Sequence, residues 1–352
     1  MISFIILSTF FILSLSGIRR VLTNSYNETF LNKYTTNSLK GIAILGILSC
    51  HILSDLNLYD KVVYGMVAYV CYLITTILAP LCVSFFLFLS GYGCLLSLKN
   101  KSETTWKWLY QKVFRLFITA TIVLCIQYLF VYIFNYRDLF IDKFSFIMDV
   151  LTMTLPPRSS WYPKVQVLAY ISLFLSYITI RKYNKNLFLL FLSIFWLIYV
   201  MFCIYINKNW FWYDSAMAFP LGCLFAEYKD KIIYIFSKNT FLIGMIMSVL
   251  TVVLFISTFY TGVLSVLILC LVANIAVSVL SLKISLKSKI LEFLGKYSWE
   301  IYLCHFACIT IIKRMDILTP YNIVLIVLIT IIMSPLLFKT GKYLTGKNFK
   351  FS

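Results

Sequence analysis

The sequence has few charged residues and little proline or glycine. Charged side chains make up 12% of the 352 residues, whereas 61% are hydrophobic, and the mean hydropathy is +0.91. A soluble domain is excluded, because it needs more polar surface than this to cover it. With 7 prolines, 12 glycines and no low-complexity tract, collagen-like and linker-rich chains are excluded as well. The composition predicts an all-α integral membrane protein.

Acidic residues are especially scarce, with 13 Asp and Glu against 31 Lys and Arg and a net charge of +18. In a soluble protein such an excess would suggest a nucleic-acid partner. Here the basic residues lie between apolar runs, which is typical of loops that stay on the cytoplasmic side of a membrane. We therefore expect membrane lipids around the chain and no nucleic acid.

The ten cysteines all lie in apolar segments, without a C-x-x-C pair or a spacing that suits a metal. Free cysteine behaves as a small hydrophobic residue and is usually buried. We predict neither a disulfide framework nor a cysteine nucleophile, and no metal site.

The apolar runs predict a polytopic transmembrane helical bundle of about eleven spans, since a span needs about 20 apolar residues. The predicted spans are Ile2–Ile18, Leu39–Asn57, Leu81–Leu98, Val113–Asn135, Val165–Ile180, Leu187–Ile206, Trp210–Ala226, Thr240–Phe259, Gly262–Leu282, Ser298–Ile312 and Tyr321–Phe338. A twelfth stretch, Val62–Ala79, is apolar enough to span, but no polar loop separates it from the next segment.

The basic residues favour the topology in which Val62–Ala79 does not cross. That assignment places about three quarters of the 31 Lys and Arg residues on the inner side, with the N-terminus outside. If the stretch crosses, the best remaining assignment separates the charges less well. The segment Ile2–Ile18 lacks a basic start and is followed by Arg19 and Arg20, so we expect it to remain as a helix and not to act as a signal peptide.

Only two histidines occur in the chain, His51 and His305, and both lie in apolar segments. Ionisable residues inside a membrane are costly, so each is a candidate functional group. Lys40 lies eleven residues before His51, which on a helix gives nearly the same direction and a separation of about 16 Å. His51 can act as a general base there, or it can be a structural histidine bonded to a neighbouring helix. Asp55 shares this face and either orients the ring or is a solvated loop acid.

Three polar residues in the tenth span also share one face, because Ser298, Tyr302 and His305 are spaced at i, i+4 and i+7. Such a stripe faces the interior of the bundle. It lines a substrate channel or bonds one helix to another.

Three further groups are weaker candidates. Ser90 and Gly91 end an aromatic run, where small residues allow helices to approach closely. Lys112 and Arg115 either hold the phosphates of a cytosolic cosubstrate or are ordinary positive flanks of a span. Trp161 and Gln166 lie on the outer side, where an aromatic ring with an amide can recognise sugar or simply belong to the interfacial belt.

Taken together, these segments resemble the acyltransferase 3 family of bacterial integral-membrane enzymes, which O-acylate surface polysaccharides. The resemblance covers Thr35 to about Gly341. It rests on Leu39-Lys40-Gly41-Ile42-Ala43-Ile44-Leu45 followed by His51, Phe85-Phe86-Leu87-Phe88-Leu89-Ser90-Gly91-Tyr92, Lys112-Val113-Phe114-Arg115, Trp161-Tyr162, Phe219-Pro220-Leu221-Gly222, and Leu294-Gly295-Lys296-Tyr297-Ser298 with Tyr302 and His305.

The resemblance implies an O-acyltransferase, most simply an O-acetyltransferase, in the bacterial cytoplasmic membrane. His51 would be the catalytic residue, Lys40 would be the basic residue that precedes it in the family's motif, and Lys112 and Arg115 would meet acetyl-CoA, the donor. Lysine at the first position of that pair keeps the charge but loses the bidentate fork of arginine. The acceptor would be a hydroxyl of an extracytoplasmic glycan.

Residues 1–34 would form an extra helix and cytoplasmic linker, and residues 35–352 the acyltransferase domain. We expect no fused extracellular esterase-like domain. The oligomeric state and the choice between direct transfer and an acyl-enzyme stay open.

The main alternative is a transporter or flippase of lipid-linked sugars, which would also have many spans and intramembrane polar groups. The sequence shows no inverted repeat between its halves and few helix pairs broken by Gly or Pro, which favours the enzyme.

Overall fold

The computed structural model describes residues 2–20, 26–27, 30–55, 66–100, 106–133, 143–153, 161–181, 183–259, 262–314 and 320–344. Within them the chain has fourteen helices and one two-stranded ribbon. The elements are α1 (Ile2–Leu15), β1 (Ile18–Arg20), α2 (Lys33–Asp55), α3 (Met66–Lys99), α4 (Trp106–Ile133), α5 (Lys143–Thr152), α6 (Trp161–Ser176), α7 (Lys185–Tyr205), α8 (Ala218–Glu227), α9 (Lys229–Ser237), α10 (Thr240–Phe259), α11 (Val263–Leu280), β2 (Ile284–Leu286), α12 (Lys289–Lys296), α13 (Ser298–Arg314) and α14 (Pro320–Leu344). The predicted all-α class is confirmed.

Eight segments of these helices are long and apolar enough to cross a membrane, one of them formed by α6 together with the π-helical turn Tyr177–Arg181 that continues it. The segments are Lys33–Ser54, Thr76–Lys99, Trp106–Leu129, Trp161–Arg181, Lys185–Tyr205, Thr240–Phe259, Val263–Leu280 and Leu325–Leu344. Each overlaps one of the predicted spans. The chain is therefore a multi-pass helical membrane protein.

The remaining three predicted spans form shorter helices. Two of these helices, α1 and α13, have 14 and 17 residues. In the third, Trp210–Ala226, only the 10-residue α8 is α-helical, after a 3-10 turn over Trp210–Trp212. Pro220 explains the late start of α8, because a proline inside a helix lacks the backbone N–H and clashes with the carbonyl four residues earlier. Pro220 lies in the first turn of α8, where its missing N–H costs no hydrogen bond within the helix.

The doubtful stretch Val62–Ala79 joins the following span in one helix. Helix α3 continues through Pro80 for 34 residues, and residues 62–65 lie outside the described part of the chain. No turn separates the stretch from the span, so it is not an additional crossing. A helix of this length measures about 51 Å and exceeds a hydrocarbon core of about 30 Å.

The chain divides into two compact units, each built from two separate stretches. The first unit comprises Met1–Ser102 and Leu175–Lys296, and the second comprises Glu103–Phe174 and Tyr297–Ser352. In the first unit α3 packs against α8, and α2 packs against both α3 and α12. In the second, α14 packs against α13 and α4.

The β ribbon attaches the N-terminal segment to the rest of the first unit. Strand β1 pairs antiparallel with β2, with Arg19 opposite Ser285. Gly17 precedes β1 with a φ of +78°, and a Cβ there would lie 2.6 Å from the carbonyl oxygen of Lys287. Glycine is therefore required at this approach. The side chain of Asn27 adds two hydrogen bonds of 3.0 Å, donated to the carbonyls of Ser281 and Ile284.

The described cysteines are free, and all but Cys125 and Cys308 are buried. Their burial confirms the interpretation of most of them as small core residues.

Candidate active site

The predicted site residues are divided between the two units. The first unit contains Lys40, His51, Asp55, Ser90 and Gly91; the second contains Lys112, Arg115, Trp161, Gln166, Ser298, Tyr302 and His305. Each set is described within its own unit.

Lys40 and His51 lie on α2, which is one uninterrupted helix from Lys33 to Asp55. Because α2 is a regular helix, eleven residues make slightly more than three turns, which meets the condition for the predicted common face of Lys40 and His51. Both side chains are half-buried, whereas Ile44 and Ile47 between them are fully buried. Asp55 is the last residue of α2, and its side chain lies outside the described residues.

Helix α2 is held at the level of Lys40 by close contact with α12. A Cβ on Gly41 would lie 2.1 Å from the carbonyl oxygen of Leu291, and a Cβ on Gly295 would lie 1.7 Å from that of Asn37. No side chain fits at either position, so the two backbones touch directly. The first motif of the sequence and the beginning of the last one therefore meet in one helix pair, which positions Lys40.

Ser90 and Gly91 lie where α3 crosses α8. A Cβ on Gly91 would be 2.2 Å from the carbonyl oxygen of Phe219, and one on Gly222 would be 2.0 Å from that of Phe88. This reciprocal contact gives both glycines a packing role, and it explains why the motifs around Ser90 and Pro220 occur together. Ser90 itself is half-buried.

In the second unit, Arg115 forms an ion pair with Glu300 across α4 and α13, with 3.6 Å between Nη2 and Oε1. The Glu300 side chain is only 1% exposed, against 30% for Arg115. The guanidinium also lies 5.2 Å from the ring centre of Phe338. A buried carboxylate and an aromatic face thus hold the arginine at a fixed place.

Lys112 lies one helical turn before Arg115 and is half-buried. Its Nζ is 5.8 Å from the ring centre of Trp108. Residues three apart on a helix are neighbours on its surface. The two cations therefore form one basic patch, and each rests on an aromatic ring.

None of the sequence motifs assigns a role to Glu300. The available signal was an acidic residue within an apolar span, which by itself marks a candidate functional group. One of its oxygens, Oε2, is buried and has no hydrogen-bond partner among the residues that the structure describes.

The outer-side residues and the last motif form one aromatic cluster in the second unit. Tyr162 donates a hydrogen bond of 3.1 Å to Oε1 of Gln166, and its ring centre lies 5.2 Å from that of Tyr302. The ring of Trp161 packs edge-on against Tyr162 at 5.7 Å, and Trp299 stacks on Tyr302 at 6.2 Å. Trp161 and Gln166, predicted as a weak acceptor group, are thereby connected to the stripe on α13.

His305 continues this cluster, with its ring 5.6 Å from that of Tyr302. It is fully buried, and its Nδ1 lies 3.2 Å from the carbonyl oxygen of Ile301. In a neutral ring this contact assigns the proton to Nδ1 and makes Nε2 an acceptor. Ser298 is buried at the start of the same helix. Tyr302 and His305 lie side by side as the spacing predicts.

Among the described residues, no group of three or more His, Cys, Asp or Glu side chains could hold a metal ion.

These features define a polytopic membrane protein with a histidine on each of two apolar helices and a paired arginine. The model of the acyltransferase 3 family, described as an acyltransferase domain, matches residues 33–339. The chain belongs to this family. The match begins at the first residue of α2, after the β1 strand, and it includes both histidines and the Arg115–Glu300 pair. No curated protein and no solved structure matches the chain.

Proposed function

We propose that this membrane acyltransferase moves an acetyl group from cytoplasmic acetyl-CoA to a hydroxyl of an extracytoplasmic glycan, such as a capsular polysaccharide or an O-antigen. The membrane would be the bacterial cytoplasmic membrane. The observation that carries the proposal is the placement of Lys40 and His51 on one face of α2, inside the region that matches the family. A cation and an imidazole at two depths of one helix suit a donor that enters on one side and an acceptor on the other.

His51 is the proposed general base. Its imidazole accepts the proton of the glycan hydroxyl while the oxygen attacks the thioester carbonyl. The carbon–sulfur bond then breaks, and the coenzyme thiolate takes the proton from the imidazolium, so that an ester and free coenzyme A result. In the alternative order, His51 attacks the thioester carbonyl, the carbon–sulfur bond breaks, and coenzyme A leaves as the thiol with the proton of the imidazole. The glycan hydroxyl then attacks the acyl-imidazole, and its proton returns to His51 as the ester forms.

Lys112 and Arg115 are the proposed donor contacts. Arg115 keeps partial exposure while Glu300 holds it from the buried side, so its remaining N–H groups can face a phosphate. Lys112 adds a second positive charge one turn away. Lys40 would assist electrostatically near the inner surface, and Tyr302 and His305 would orient groups along their stripe. Trp161 and Gln166 are the proposed acceptor contacts.

The test is transfer of radiolabelled acetyl from acetyl-CoA into surface polymer by membranes that contain the wild-type chain or His51→Ala at equal levels. We expect the variant to lose about a hundredfold or more of the rate, the usual contribution of a general base. Ser54→Ala, an exposed neighbour on the same helix, is the matched control and should retain activity. Equal rates for His51→Ala and wild type would overturn the mechanism.

The same assay separates the proposal from the transporter alternative. A flippase of lipid-linked sugars would move label-free substrate without adding an alkali-labile ester. Polymer from cells that express the chain should therefore gain ester-linked acetyl, and unchanged acetyl content at confirmed expression would refute the enzyme.

A further inference from the structure

Two short helices of the first unit, α9 and α12, are too short to cross the membrane. Helix α9 has no buried residues, and α12 buries Leu291, Leu294 and Gly295. Each lies next to the end of a span. Helix α10 begins three residues after α9 ends, and α12 follows α11 with only β2 between them. They are therefore placed at the level of the lipid headgroups on one face of the membrane.

The outward face of α12 combines apolar and basic side chains. Ile290 is 56% exposed and Phe293 is 39% exposed, opposite the face that packs on α2. Lys287, just before the helix, and Lys289, its first residue, are also exposed. A helix with one face fixed in the protein, apolar residues outward and lysines beside them has the character of an interfacial amphipathic helix.

Helix α9 repeats the pattern. Tyr234 is 69% exposed, and Nζ of Lys238 lies 5.1 Å from its ring centre. Ile235 and Lys231 are exposed on the same short helix. Aromatic residues with lysine are typical of the membrane–water interface.

Contacts within the unit connect these elements into one surface. Lys283 donates a hydrogen bond of 2.7 Å to the carbonyl of Ser237, the last residue of α9. The N–H of Lys287 donates to the carbonyl of Gly17 at 2.9 Å, which attaches the β1 side. We name the exposed residues Lys231, Tyr234, Ile235, Lys238, Lys287, Lys289 and Ile290 the basic rim. Asp230 and Glu292 are the acidic residues of α9 and α12, so the rim has an excess of positive charge.

We propose that the basic rim binds the headgroups of anionic phospholipids in the cytoplasmic leaflet. The lysines meet the phosphates, while Ile290, Tyr234 and Ile235 lie among the upper acyl chains. The exposed apolar side chains favour a lipid over a soluble phosphate compound, because a water-soluble ligand would leave them in water. The side of the membrane follows from the positive charge.

Lipid bound here has a route to the proposed site. The buried face of α12 touches α2 where Gly295 of α12 meets the α2 backbone and where Gly41 of α2 meets the α12 backbone. Gly41 is the residue after Lys40. Anionic lipid that holds α12 therefore also holds the helix that carries Lys40 and His51. This consequence rests on the proposed function, whereas the lipid binding itself does not.

The test measures phosphatidylglycerol retained by the purified full-length chain in native mass spectrometry, without substrate. We expect Lys287→Gln with Lys289→Gln to bind phosphatidylglycerol about tenfold more weakly, since each lysine near a charged membrane surface contributes measurably. Phosphatidylcholine retention should not change. Lys287→Arg with Lys289→Arg is the matched control and should bind as the wild type does. Lys208→Gln, on the outer side, should also have no effect.

A second variant and a competitor make the test decisive. Ile290→Asn changes no charge and should still weaken phosphatidylglycerol binding if acyl chains contact this face. Coenzyme A should not displace the lipid from the wild type. Unchanged binding in the Gln double variant, or displacement by coenzyme A, would overturn the proposal. Loss of acyl transfer by other causes would leave the lipid measurement unaffected, so the two proposals fail separately.

Discussion

Arg115 and Glu300 join α4 to the first turn of α13 through an ion pair in which the carboxylate is almost completely buried. A buried carboxylate needs its partner, because an uncompensated charge in a low-dielectric interior is costly. Arg115, one of the two proposed donor contacts, thus also compensates the charge of the buried Glu300 carboxylate.

Removal of Arg115 should destabilise the protein more than removal of both charges. We expect Arg115→Gln to lower the unfolding free energy by about 3 kcal/mol, because Glu300 is left buried without its cation. Arg115→Gln combined with Glu300→Gln should recover a large part of this loss. Thermal unfolding of the purified protein in detergent measures both variants. A double variant no more stable than the single one would show that the loss does not come from an uncompensated carboxylate.

Lys112 should govern donor affinity and not the chemical step. We expect Lys112→Gln to raise the KM for acetyl-CoA about fivefold with little change in kcat, because it removes a phosphate contact that is made before and during reaction. Lys112→Arg should lower KM, since a guanidinium can bind a phosphate in bidentate fashion. Lys107→Gln is the control, because Lys107 is an exposed cation one to two turns earlier on α4. A kcat effect alone would contradict a donor-binding role.

Gly41 and Gly295 should tolerate no side chain. Their added Cβ atoms would lie 2.1 Å and 1.7 Å from backbone carbonyl oxygens, which cannot move without shifting α2 or α12. We expect Gly41→Ala and Gly295→Ala to destabilise the protein by about 2 kcal/mol or more, as overpacking does.

Gly93→Ala and Gly244→Ala are matched controls for this effect. Both glycines are helical, and a Cβ on either meets nothing within 4 Å. Alanine there should be neutral or stabilise by up to about 1 kcal/mol, because it lowers the entropy of the unfolded chain. Melting temperatures in one detergent compare all four variants, and equal losses at all four positions would contradict the packing argument.

Two substitutions at Tyr302 distinguish a role of its hydroxyl in acyl transfer from a role of its ring in packing. The ring is buried between Tyr162, Trp299 and His305. We expect Tyr302→Phe to keep the melting temperature but to lower acyl transfer about tenfold, because the hydroxyl and not the ring orients the reacting groups. Tyr302→Ala should lower stability by about 3 kcal/mol. Full activity in Tyr302→Phe would assign the residue to packing alone.

The apolar runs predicted the spans well where helix length alone decides the outcome. The segment Thr240–Phe259 is a helix over its full predicted length, because nothing interrupts its hydrophobic run. The stretch around Trp210 differs, since Pro220 delays the helix until Ala218. The stretch before Pro80 forms no separate span, as the distribution of the basic residues favoured, because the helix passes through the proline without a turn.

The candidate site was predicted unevenly for a related reason. Spacing along one helix predicted that Lys40 shares a face with His51 and that Tyr302 lies beside His305, since the geometry of a helix is local. The partners of these helices were not readable in the same way. Glu300 lies next to Arg115 only because α13 packs on α4, across more than 180 residues of sequence.

The sequence by itself determined the class of protein, the approximate spans and the two histidine-bearing helices, because hydropathy and helical period are properties of neighbouring residues. Only the tertiary structure decided that Gly41 meets α12, that Gly91 meets α8 and that Glu300 is the carboxylate of Arg115. Those contacts depend on which helices pack together, and close packing is a property of the folded interior that no single segment contains.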